Sequence, residues 1–194
     1  MTPKTTRMTP PNRCFSVLLF PLLLALSGCA PLIVDPGPPA GEASLYPSHF
    51  WTRDGISLAY RSWLPDEKPN AVVVALHGFN DYSKFFDKPA NYLRERGIAS
   101  YALDQRGFGA NGFRGRWFPG DRYKLDARDF TKAVAEKYPG VPLYLLGESM
   151  GGAVAMTVMA DDNTPWITGT ILAAPAVWAR ETMPLYQRIT LWLS

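Results

Sequence analysis

Cysteine and histidine are scarce in this sequence. Its 194 residues include two cysteines, Cys14 and Cys29, and two histidines, His49 and His77. Two cysteines cannot build a disulfide framework, and residues 30–194 have none, so the folded part must depend on its core. No His/Cys cluster has metal-ligand spacing, and neither a Walker-type loop nor G-x-G-x-x-G after a strand occurs; no metal or cofactor is expected. A charge excess is also lacking. Lys and Arg number 20 against 17 Asp and Glu, and the surplus (Lys4, Arg7, Arg13) lies in the first 28 residues. The remainder balances, which leaves no basic face for nucleic acid. What is abundant is core material: 47% apolar and 13% aromatic residues, enough for one globular domain and too much for a disordered chain.

The N-terminus reads as an address. A cationic, acid-free start precedes the apolar residues 14–26, which fit a secretory signal. That stretch is short of the ~20 residues of a membrane span, and Pro21 interrupts it. Leu26-Ser27-Gly28-Cys29 then resembles a bacterial lipoprotein signal, which implies that Cys29 is lipidated and heads the mature chain. With Ala30 and no Asp after the cysteine, lipoprotein analogy favours the outer over the inner membrane, given a Gram-negative host. Residues 31–41 hold four prolines and two glycines and read as a semi-extended tether, with a loop packed on the domain as the alternative. The expected division is a signal at 1–28, lipidated cysteine and tether at 29–47, a folded core at 48–175, and a further segment at 176–194 that follows it.

The body alternates strand and helix. Asp54-Gly55 marks a turn before a strand at 57–63. Buried strands are expected at 71–76, 98–103, 143–146 and 167–174, with helices at 83–96, 124–138 and 150–160 between them. This order predicts an α/β fold, a mostly parallel sheet with helices on both faces. Ligand sites in such sheets lie beyond the carboxyl ends of the strands.

Three strand ends carry distinctive residues: His77-Gly78-Phe79-Asn80, Asp104-Gln105-Arg106-Gly107-Phe108-Gly109, and Gly147-Glu148-Ser149-Met150-Gly151-Gly152. The last is G-x-S-x-G between a strand and a helix, the setting of a nucleophilic serine. Gly147 and Gly151 leave room for the tight turn. The Met150 N–H, at the helix start, can stabilise an oxyanion formed at Ser149, and Phe79 after His77-Gly78 is positioned to supply a second N–H. A plain tight turn is the structural alternative.

With Asp54-Gly55, Tyr60-Arg61 and Ala174-Pro175-Ala176, these motifs resemble α/β-hydrolases of the monoacylglycerol lipase and lysophospholipase (serine aminopeptidase-like) group over residues 48–194. The resemblance implies a serine esterase acting on amphiphilic esters such as monoacylglycerols or lysophospholipids, with His77 and Gly78 shaping the oxyanion loop. It also implies a lid after the sixth strand, whose start fits Trp178, Met183, Tyr186, Leu191 and Trp192, or else these belong to a terminal helix on the core.

The pattern breaks at the base. The fold orders its triad Ser, then acid, then His, but both histidines precede Ser149. Asp161 and Asp162 are twelve and thirteen residues on, about 18 Å along a helix. Glu181 falls in the expected lid, and Glu148 is expected to point to a neighbouring loop. Asp104 and Arg106 are expected to organise loops through hydrogen bonds and an ion pair. The sequence therefore reads as the front part of an esterase, inactive and poorly soluble alone, with an open strand edge. The competing expectation is a non-catalytic anchored remnant or binding module.

Overall fold

The computed structural model describes residues 32–161, 163–177 and 180–193. The expected signal, Cys29, Asp162 and Trp178 lie outside them. Residues Leu32–Thr182 form one compact unit. Within it seven strands make a single sheet: β1 (Ser44–Leu45), β2 (His49–Trp51), β3 (Ser57–Trp63), β4 (Ala71–Leu76), β5 (Ile98–Leu103), β6 (Leu143–Glu148) and β7 (Gly169–Ala173). Their spatial order is β1-β2-β3-β5-β4-β6-β7. The last four strands of that order are mutually parallel, while β1, β2 and β3 pair antiparallel, β3 lying against β5. The expected α/β architecture holds. The antiparallel margin brings the sheet's start forward to Ser44, inside the stretch expected as tether.

Three helices cover the sheet: α1 (Asp87–Arg94), α2 (Gly120–Lys137) and α3 (Met150–Met159). Strand alternation explains their placement. Val72, Val74 and Leu76 of β4 share a core with Tyr101, Leu103, Leu143 and Leu145, and Phe130 of α2 and Val158 of α3 close it. The intervening residues Ala75 and Ala102 face the other way, onto Phe86 and Ala90 beside α1. Such two-sided burial requires the continuous β-branched runs seen in the sequence.

The helix expected at 83–96 divides into a 3-10 turn, Ser83–Phe86, and α1. Pro89 falls in the first turn of α1, where its missing N–H costs no helical bond; an α-helix begun at Ser83 would place it in the interior. β7 departs from the expected fourth buried strand. Ile167 is buried, but Ile171 and Leu172 are 47% and 42% exposed. Among the described residues β7 has a neighbour only in β6, so it is a sheet edge.

Residues 32–41 are docked on the domain. Ile33 bridges Trp117, with Val34 N–H donating to the Trp117 carbonyl at 2.8 Å and Trp117 N–H to that of Leu32 at 2.8 Å. Ala40 N–H donates to Arg53 O at 2.6 Å. Prolines remove some backbone donors of this strap, and the N–H groups of Val34 and Ala40 find partners on the domain. Residues 183–193 fall outside the compact unit and contain helix α4 (Leu185–Leu193), on which Tyr186 is 65% exposed. No helix among the described residues is long and apolar enough to cross a membrane.

Candidate active site

The parallel strands end in register: Leu76 pairs with Leu103 and Gly147, and Glu148 pairs with Ala173. His77, Asp104 and Ser149 thus emerge along one rim. Ser149 connects β6 to α3 with φ 48° and ψ −114°. A non-glycine residue in this region stores about 1–3 kcal/mol and needs support from its surroundings. That support is dense. Ser149 N–H donates to Ala173 O at 3.0 Å, and its carbonyl accepts from the N–H groups of Gly152, Ala153 and Ala176 at 3.0, 3.2 and 2.8 Å. Ala174-Pro175-Ala176 therefore acts as the brace of the turn, a role that no local signal in the sequence showed.

The turn also needs close backbone contact. A Cβ on Gly147 would strike the Gly151 carbonyl, and one on Gly151 would strike the Leu76 carbonyl, where no flexible side chain can yield. Gly151→Ala is expected to cost about 1–3 kcal/mol by overpacking. A thermal melt checks it: an unchanged midpoint would refute this contact.

The His77-Gly78-Phe79 loop adjoins the turn. A Cβ on Gly78 would lie 3.2 Å from Ser149 Cβ and inside the Glu148 carboxylate, so Glu148 does reach the neighbouring loop. The Met150 N–H, first in α3, has no intrahelical acceptor. His77 is fully buried with both ring nitrogens engaged. Nδ1 donates to Gly78 O at 2.8 Å, and Nε2 accepts from Gln105 N–H at 2.9 Å. Burial lowers its pKa and favours the neutral ring. Its accepting nitrogen is occupied, so His77 shapes the loop and cannot take a proton from Ser149. Gln105 completes the brace, its side-chain amide donating to His77 O at 2.7 Å.

Asp104 and Arg106 both organise loops, with separate partners. Asp104 accepts from Ser83 N–H at 2.7 Å and Ala110 N–H at 2.9 Å. Arg106, 2% exposed, forks onto two carboxylates. Its Nη1 and Nη2 reach Asp54 at 2.7 and 2.5 Å, while Nε and Nη2 reach Asp126 of α2. Burial pushes the Asp54 carboxyl up, but the Arg106 and Thr52 hydrogen bonds and the Arg106 charge outweigh it and hold its pKa at about 2. Asp126 is pushed up to about 6, by burial first, with Asp54 and Asp129 adding to it against Arg106.

These shifts have opposite signs in stability. The lowered Asp54 stabilises the fold above its unfolded pKa of about 3.9, and this is lost as pH falls toward 2. The raised Asp126 contributes fully below about 3.9, and that contribution is lost as pH rises through 6. The cluster therefore favours folding most near pH 4. Asp126→Asn is expected to flatten the decline above that pH and to keep the decline below it. Urea midpoints on both sides of the maximum test this, and an unaltered upper limb would contradict it.

The other candidates stand apart from the turn. His49 stacks on Tyr46 at 4.8 Å, in β2. In the sheet order β2 is four strand spacings from β6, roughly 19 Å. Asp161 is held by Lys124 Nζ at 3.3 Å and by Arg128 at 3.9 Å. Glu181 is exposed in a 3-10 turn, Arg180–Thr182. No group of three metal-ligating side chains occurs among the described residues.

Comparison with known proteins agrees with this geometry. The serine aminopeptidase S33 hydrolase family matches residues 67–194. The monoglyceride lipase of Mus musculus is 31% identical over 134 residues, covering 68% of this chain and 43% of the relative. The monoacylglycerol lipase of Mycolicibacterium smegmatis is 30% identical over 135 residues, covering 66% and 45%. The chain thus spans less than half the length of these curated relatives. A soluble variant of Saccharomyces cerevisiae monoglyceride lipase, solved with a substrate analogue, superposes with a TM-score of 0.59 at 24% identity, covering 80% of this chain and 50% of that one. A thermostable Bacillus coagulans carboxyl esterase gives 0.54 at 25% identity, covering 64% and 42%. The chain belongs to the serine aminopeptidase S33 hydrolases, as a part of an α/β-hydrolase of the monoglyceride lipase group.

Proposed function

We propose that the protein is a serine ester hydrolase of amphiphilic substrates, monoacylglycerols or lysophospholipids, with Ser149 as nucleophile. The observation that carries this is the strained, braced backbone of Ser149 against the Gly78 loop. Ser149 Oγ attacks the ester carbonyl carbon, and the N–H groups of Phe79 and Met150 receive the oxyanion. Collapse expels the alcohol and leaves an acyl-serine, which water then cleaves. In the order of this fold a base histidine and the acid that orients it follow the serine, and His77 and His49 are otherwise placed. By the family resemblance residues 176–194 are the start of a lid, and lipidated Cys29 tethers the enzyme to the bacterial outer membrane.

A competing reading is a non-catalytic anchored module. It is favoured by one observation: no histidine among the described residues is available to Ser149. A panel of monoacylglycerol, lysophospholipid and aminoacyl-amide substrates, offered to the native protein, separates these. Release of fatty acid from the first two is expected. Cleavage of the amide alone would overturn the substrate class, and no turnover of any would favour the module.

A further inference from the structure

The strap and the loop after β5 form one surface beside Phe79. Leu32 and Ile33 are 67% and 63% exposed although their backbone is fixed to Trp117. Trp117 lies 6.3 Å from the Phe79 ring, itself 61% exposed. Four residues before Trp117, Phe113 is 46% exposed at the tip of a turn closed by Arg116 N–H to Phe113 O at 3.0 Å. Ile33, Trp117 and Phe79 follow one another across this surface, the kind of contiguous apolar rim that marks an interaction site.

Charge indicates which use. Arg114 and Arg116 are exposed on the same turn, and neither has an ion-pair partner among the described residues. No acid occurs from residue 105 to residue 120, and Asp35 is the one acid on the strap before Glu42. Aromatic and aliphatic tips beside free arginines match an anionic bilayer, with the apolar groups in the acyl boundary and the cations at phosphate level. The chain's course agrees. Cys29 is three residues before Leu32, at most about 10 Å of extended backbone, so an anchor there would keep this surface near the membrane.

We infer that the Leu32–Ile33 strap and the Phe113–Trp117 turn are a docking surface for an anionic phospholipid bilayer, which turns the Phe79 rim of the Ser149 site toward the membrane. The inference rests on the hydrolase reading for what the membrane delivers, but not for the docking itself. An amphiphilic ester would then pass from bilayer to site without crossing water.

The test reconstitutes the full chain with vesicles of phosphatidylglycerol or phosphatidylcholine carrying brominated acyl chains. The Trp117 contribution is taken as the difference in emission between wild type and Trp117→Phe. Strong quenching in phosphatidylglycerol and weak quenching in phosphatidylcholine are expected. Arg114→Gln/Arg116→Gln removes two cations worth about 1 kcal/mol each, so the docked-to-undocked ratio should fall about thirtyfold. Both arginines are exposed, and an unchanged near-UV spectrum verifies the fold. Unquenched Trp117 on bound chain, failure of the chain to bind vesicles, burial of Trp117 in a dimer, or quenching indifferent to the arginines would each overturn the proposal. Phosphonate labelling of Ser149 in detergent separates the two ideas: quenching without labelling keeps the surface and removes the hydrolase.

Discussion

Arg106→Met is expected to destabilise the protein by about 3–5 kcal/mol, a larger loss than that of Gly151→Ala. The substitution keeps most of the apolar stem but removes the cation shared by Asp54 and Asp126, whose side chains are 2% and 7% exposed. Two carboxylates then face each other without compensation. The pH response should also steepen. Wild type is stabilised between neutral pH and pH 4 as Asp126 alone takes up a proton, whereas the variant, without its cation, relieves the repulsion of both carboxylates by protonation, so the gap between them narrows toward pH 4. Urea titrations of both proteins at neutral and acid pH measure this. A loss near zero, or a gap that widens with acid, would mean that the cluster is not the clasp between the Asp54 turn, the β5 loop and α2. Gln105 precedes Arg106 and holds His77, so loosening this clasp should also loosen the His77-Gly78-Phe79 loop.

The arginine cluster shows where sequence reading stops. Residue 106 was legible as a loop organiser because it follows a strand end in a charged, glycine-rich motif. Its partners were not, because Asp54 and Asp126 lie 52 and 20 positions away and only the folded sheet joins them. The four parallel strands and the elbow were legible, since burial on both faces forces continuous apolar runs and the serine turn forces glycines at fixed offsets. β1 and β2 were not, being two and three residues long, too short for any period to show. The strap was ambiguous for a related reason. Its prolines exclude helix and central strand but are indifferent between a free tether and a chain laid along Trp117. β7 was legible as a strand, and the exposure of Ile171 and Leu172 matches the open edge expected after it.

Ser149→Ala is expected to lower ester hydrolysis by the native protein about a millionfold, with KM little changed. Alanine keeps the Cβ that meets the Gly78 loop and the backbone bonds to Ala173 and Ala176, so the fold should survive. On the proposed mechanism, what is lost is the attacking oxygen. The residual rate measures what the N–H groups of Phe79 and Met150 contribute alone, above the reaction in water. Steady-state kinetics with a monoacylglycerol substrate provide the comparison. A drop of only a few fold would show that another group performs the chemistry.

The central claim is that Ser149 is an activated nucleophile, and covalent labelling tests it most directly. The native protein is treated with a fluorophosphonate probe, digested, and the peptide spanning Gly147–Gly152 weighed. The account predicts the probe on Ser149 in the folded protein, and none after prior denaturation or in Ser149→Ala. An unmodified Ser149 in folded native protein, or label confined to another residue, would contradict it.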